Sequence, residues 1–181
     1  LNGFDVDLAA DLTRLTNRLR DSLVAVSPAL ERAVGARLHQ GGVRDLIAKY
    51  PAPTALRTAS GAKIAATIKK RSPRVAAKVA DAVTAALDAQ TVTMPAEAAV
   101  GRVVAELAVE LDRLHARRGA LAAEIEEVFL AHPFGQVLVT LPGIGPRTGA
   151  RILAEIGDGT RFANGSKLAS YAGLAPVTRQ S

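Results

Sequence analysis

The chain has 181 residues and a formal net charge of +6, with an isoelectric point of about 10.2, a length that suits one ordinary domain or two small ones. Hydrophobic residues make up 49%, aromatics only 3%, and Cys and Trp are absent, which excludes disulfides, thiolate metal sites and cysteine nucleophiles together. No apolar run approaches the roughly 20 residues of a membrane span, so no membrane partner is expected.

Ala, Leu, Val and Ile must build the core, and Ala and Leu are the best intrinsic helix formers. No segment alternates apolar and polar residues long enough to demand a sheet, so the expected fold class is all-α. The opening, Leu1-Asn2-Gly3-Phe4-Asp5, is neither a signal peptide nor an initiator methionine, and a fragment of a longer protein is expected.

Leu8, Leu12, Leu15, Leu19 and Leu23 recur at spacings of three and four, which predicts an amphipathic helix over 4–26. Ser27-Pro28 ends it and caps the next helix, because Pro fits the first helical position. Gly41-Gly42 reads as a break before a short helix over 43–49. Pro51 and Pro53 punctuate the chain, and Thr54 can cap a helix through Leu56. Ser60-Gly61 turns into a basic helix over 62–70, and Ser72-Pro73 opens another to about Gln90.

Pro95 opens the most periodic segment, expected to run to about Leu130. Val100, Val104, Leu107, Leu111, Leu114, Leu121, Ile125 and Val128 follow the four-and-three spacing of a heptad seam, with Arg118 breaking it. A seam this narrow needs a partner helix. Either an antiparallel helix of the same chain, such as 73–90, or a second copy in a coiled coil supplies it. His132-Pro133 stops the long helix, and 134–140 is a short helix or an extended run.

The positive charge is concentrated. Between Arg44 and Lys78 there are nine basic residues against one acid, Asp45. Lys69, Lys70, Arg71 and Arg74 form the densest patch, and such a field attracts polyanions, although surplus Lys and Arg also serve solubility.

The sharpest local signal is the run Leu138 to Leu153. It resembles the helix-hairpin-helix motif of DNA-binding proteins: an apolar helix end, a Gly-apolar-Gly turn, then a second helix. Gly143 and Gly145 permit positive φ and close approach to a ligand. Ile144 is expected to point inward and pin the turn. Pro146 loses nothing at a first helical position. The amides of that first turn, with Thr148, can hold a phosphate at the positive end of the helix dipole. Arg147 and Arg151, one turn apart, add charge-assisted contacts. Such contacts grip backbone rather than bases. The plainer alternative is a tight turn between two packed helices. Gly149 departs from the motif, which usually carries Ala there.

The hairpin continues into Glu155-Ile156-Gly157-Asp158, Arg161-Phe162 and Leu168-Ala169-Ser170-Tyr171-Ala172-Gly173-Leu174-Ala175-Pro176. From Leu141 to Ser181 this pattern strongly resembles the C-terminal transposase domain of the insertion-sequence 110/116/902 family, and Asp11 to Arg20 resembles the family's segment after its N-terminal domain. The resemblance implies an RNA-guided DNA recombinase of two parts. An N-terminal RuvC-like domain, expected to be missing here, supplies a DEDD carboxylate set for Mg²⁺. The C-terminal part supplies a serine nucleophile, which maps onto Ser181, with Arg179 able to steady phosphate charge. Such a serine would form a covalent phosphoserine intermediate.

The resemblance divides the chain into a basic helical region (1–92), a coiled-coil helix (93–132) and a truncated C-terminal transposase domain (133–181). It implies double-stranded DNA and a guide RNA as partners, homo-oligomers through the coiled coil, and a bacterial, cytoplasmic, nucleoid-associated location. No metal ligand set is expected in this fragment, and the fragment alone is expected to be inactive. His39, His115 and His132 make no metal-ligand spacing. Asp5, Asp7 and Asp11 are expected to favour a helix N-terminus. Glu155 is expected to pair with Arg151, and Asp158 to cap or turn. Two alternatives remain: a non-catalytic helix-hairpin-helix DNA-binding module, and a purely structural coiled-coil protein.

Overall fold

The structure, a computed structural model, describes residues 2–92 and 94–174. All regular elements among them are helices, as the composition predicts. The chain forms two compact units, 4–119 and the C-terminal unit of 120–181 with the first three residues.

The larger unit holds the main core. In α1 (Asn2–Val26), Leu8, Leu12, Leu19 and Leu23 are buried, the predicted stripe. Ser27 caps α2 (Pro28–Val34) by accepting from the Leu30 amide at 3.2 Å. Arg20 of α1 reaches the buried Glu31 of α2 at 2.6 Å. After α3 (Gly41–Lys49) and α4 (Pro53–Arg57) come α5 (Gly61–Lys69), a single 3₁₀ turn at Pro73–Val75, and α6 (Ala76–Ala89). α6 packs on α2 and α5, and α3 on α5.

Three helix ends in this unit depart from the sequence expectation, each for a non-local reason. Gly41-Gly42 is the first turn of α3 rather than a break. A β-carbon on Gly42 would overlap the carbonyl of Ile68, so the glycine lets α5 cross at close range. Ser72 does not cap its own helix; its hydroxyl accepts from the Gly42 amide at 3.1 Å, closing α3 from 30 residues away. Thr54 lies inside α4, and its amide donates to the buried Glu97 carboxylate at 2.7 Å. Arg57 similarly donates to the carbonyls of Leu87 and Gln90 at the end of α6.

α7 (Glu97–Ala131) is the long periodic helix. Within the larger unit its seam residues Val104, Leu107 and Leu111 are buried in the common core, together with leucines of α1. Arg118, the break in the seam, donates to Asp5 of α1 at 2.8 Å, and Arg117 sits over the Phe4 ring at 4.7 Å. Leu15 and Arg18 of α1 line one groove with Val103 to Arg113 of α7. Early α1 thus meets later α7, and later α1 meets earlier α7, so the two run antiparallel. Beside this half of the seam lies α1, and α6 of the expected 73–90 partner shares the same core cluster.

In the C-terminal unit, α8 (Pro133–Leu138) resolves the ambiguous 134–140 segment as a helix. Its cap is the His132 ring, whose Nδ1 accepts from the Phe134 amide at 3.2 Å. α9 (Pro146–Ile156) and α10 (Gly165–Tyr171) follow. Leu121, Ile125, Phe129 and Ala150 are buried here. Gly135 is required, because a β-carbon there would overlap the Phe129 carbonyl oxygen.

Candidate nucleic-acid interface

Leu141, Pro142, Gly143 and Ile144 make a tight turn closed by the Ile144 amide donating to Leu141 at 3.1 Å. Gly143 has φ 82°, and Pro before such a glycine is the composition of a type II turn. Gly145 then takes extended backbone as the cap of α9, with no side-chain hydrogen bond there and Pro146 in the first turn. Ile144 is half-buried, while Gly143, Gly145, Arg147, Thr148 and Arg151 are exposed. Nothing lies within 4 Å of where a β-carbon on Gly143 or Gly145 would stand. The turn therefore presents open backbone at the positive end of an eleven-residue helix.

α9 is anchored from behind. Gly149 and Ala150 are buried, and Gly149 faces the Phe129 ring so closely that a β-carbon would overlap it. That contact explains why Gly stands where the motif usually has Ala.

Lys69, Lys70, Arg71 and Arg74 are all exposed at the corner between α5 and the 3₁₀ turn. Arg71 also has structural work: it pairs with Asp45 at 2.9 Å and Asp112 at 3.0 Å. Burial would lower its pKa, but the hydrogen bonds it donates to both carboxylates, with their negative charge, outweigh this and raise it. Arg44, 4% exposed, joins the same group, donating to Asp112 at 2.8 Å and to the Leu38 carbonyl at 3.0 Å. Burial pushes Asp112 up, yet the two guanidiniums hold its carboxyl below the ordinary range. Burial, then the positive charge of Arg44, lowers His115. This basic corner and the glycine turn belong to different units. Arg179 and Ser181 lie outside the described residues.

Among the described residues no three His, Asp or Glu side chains gather as metal ligands. Asp11 is taken by Arg14, Asp5 by Arg118, and Asp45 and Asp112 by arginines. No helix among them is long and apolar enough to cross a membrane.

One cluster was not anticipated. Glu155 does not meet Arg151 as its ion pair; its carboxylate accepts from the Tyr171 hydroxyl. Arg161 donates to the Glu155 carbonyl and lies over the Phe162 and Tyr171 rings, at 4.7 and 4.9 Å. The only sequence signal was the gathering of two of six aromatic residues within ten positions. Asp158 makes its turn as expected, accepting from the Thr160 amide at 3.0 Å.

Comparison with known proteins finds one family match, over the C-terminal segment. Residues 135–181, which begin in α8 and contain the glycine turn, match the family model described as Transposase IS116/IS110/IS902 family. The chain is 44% identical over 181 residues, all of its length and 45% of the relative's, to the insertion element IS110 uncharacterized 43.6 kDa protein of Streptomyces coelicolor. It is 36% identical over 181 residues, again 45% of the relative, to the insertion element IS116 uncharacterized 44.8 kDa protein of Streptomyces clavuligerus. It is 38% identical over 176 residues, 97% of this chain and 44% of the relative, to the insertion element IS900 uncharacterized 42 kDa protein of Mycobacterium paratuberculosis. The chain thus spans less than half the length of these relatives. No solved structure matches it.

Proposed function

We propose that this chain is the DNA-handling portion of an RNA-guided transposase, gripping duplex backbone with the α8–α9 helix-hairpin-helix. The observation that supports this most is the exposed glycine turn at the uncapped start of α9, inside the very segment that matches the transposase family. Open backbone amides and Arg147 and Arg151 give phosphate contacts that are indifferent to base sequence. Target choice then falls to a guide RNA, for which the Lys69, Lys70, Arg71 and Arg74 corner offers a positive surface.

In this reading Ser181 is the nucleophile of the longer protein. Its oxygen bonds to a DNA phosphorus, one phosphate–deoxyribose bond breaks, the proton leaves the serine, and the departing sugar gains a hydroxyl. The phosphoester energy is kept for rejoining. Arg179 neutralises charge on the phosphate oxygens. A DEDD carboxylate set and its Mg²⁺ belong to a RuvC-like domain outside this chain. The chain alone binds without cutting.

The test is duplex affinity. Arg147→Glu should weaken it about tenfold, the value of one charge-assisted phosphate contact, and should flatten its salt dependence. Unchanged affinity would remove the hairpin from the interface. In the longer protein, a covalent DNA adduct lost in Ser181→Ala tests the nucleophile.

A further inference from the structure

We propose that Tyr171, backed by Arg161 and Phe162, is a stacking platform for an unpaired nucleobase, with Lys167 placed for the adjoining phosphate. The inference rests on the reading of this unit as a nucleic-acid binder, and adds the state of the strand it holds.

In a chain with six aromatic residues, Phe162 and Tyr171 lie with ring centroids 5.3 Å apart and planes at 57°. The Arg161 guanidinium covers both, 4.7 and 4.9 Å from the centroids, close enough for cation–π attraction. Phe162 is half-buried, the inner member of the group. Tyr171 is the outer member and remains 54% exposed. Its hydroxyl donates to the Glu155 carboxylate, a contact that restricts the ring, and a restricted ring offers contact area at a smaller entropic cost. Lys167 lies one turn earlier on α10 and is exposed, and residues four apart share a helix face.

An exposed ring beside a lysine and an arginine is the chemistry of single-strand recognition: a π-face for the base, cations for the phosphate. A base inside a duplex has both faces covered by its neighbours, so only an unpaired base can use the platform. DNA and RNA share this chemistry, and the experiment separates them.

The protein has no Trp and two Tyr, so Tyr50→Phe leaves Tyr171 as the single tyrosine emitter. That variant is titrated with short oligodeoxythymidylate, short oligouridylate and a duplex, following tyrosine emission and, in parallel, anisotropy of labelled strands. Emission should be quenched as single strand binds, and the strand that quenches identifies DNA or RNA as the source. In the parent chain, Tyr171→Leu should weaken binding of that strand about tenfold or more and leave duplex affinity unchanged. Emission that stays constant while a single strand saturates the protein would overturn the platform, as would a folded Tyr171→Leu protein that binds single strands like the parent. Duplex binding with a silent Tyr171 sinks the platform alone. Quenching by single strands without any effect of Arg147→Glu on duplex sinks the hairpin alone. Binding of neither sinks both.

Discussion

The Phe129 ring fills the space that a β-carbon on Gly149 would need. The two residues hold the end of α7 against α9, and among the described residues of the C-terminal unit Phe129 is one of the few large buried side chains. Gly149→Ala should therefore destabilise the unit by about 1–3 kcal/mol, the usual cost of overpacking, despite the better helix propensity of Ala. Paired with Phe129→Leu, the same substitution should cost less than the sum of the two single changes. Chemical denaturation of the four species checks this, and simple additivity would contradict the contact.

Gly143 poses the opposite problem. Space is open around it, but its φ is 82°. Gly143→Ala should cost roughly 1–2 kcal/mol through backbone strain alone, while Gly145→Ala, at φ −90°, should be close to neutral. Equal melting temperatures for the two variants would contradict the turn geometry.

Asp112 and His115 make the larger unit sensitive to acid. Asp112 is held below its ordinary value of 3.8. Its contribution to stability is complete above that value and is lost as pH falls through the lower, folded-state pKa. His115 is lowered from 6.5: below that pH the unfolded chain takes up a proton that the folded chain resists. Stability should decline first as pH drops below about 6.5, then again below about 4. His115→Gln should remove the first step and leave the second. A first step that persists in that variant would assign it elsewhere.

Removing Asp112 altogether strips the buried Arg44 of its carboxylate. Asp112→Asn should cost about 3–5 kcal/mol at neutral pH, as when one partner of a buried pair is lost. Asp11→Asn, in an exposed pair with Arg14, should cost less than about 1 kcal/mol. Urea midpoints measured side by side give the comparison.

These contrasts show where the sequence was readable. The leucine stripe of α1 and the periodicity of α7 announced helices, because one buried face repeats at the helical period. Ser27 announced a cap whose donor lies three residues away. The Pro142-Gly143 turn was legible because only its own residues make it. What stayed hidden depends on residues far apart in the chain. Gly41-Gly42 looked like a break because α5 is not adjacent in sequence. Arg118 looked like a flaw in the seam because Asp5 is 113 residues away. Arg151 looked like the partner of Glu155 because they are one turn apart, yet Tyr171 takes that carboxylate.

The caps that arrive from a distance have a further consequence during synthesis. Ser72 closes α3 across 30 residues and Glu97 closes α4 across 43. While the ribosome is still adding residues after Arg57, α4 has no lid, and five residues are too few to hold a helix in water unaided. Its amides wait until Glu97 has emerged. The side chain that closes α4 is thus supplied only once the first turn of α7 has been made.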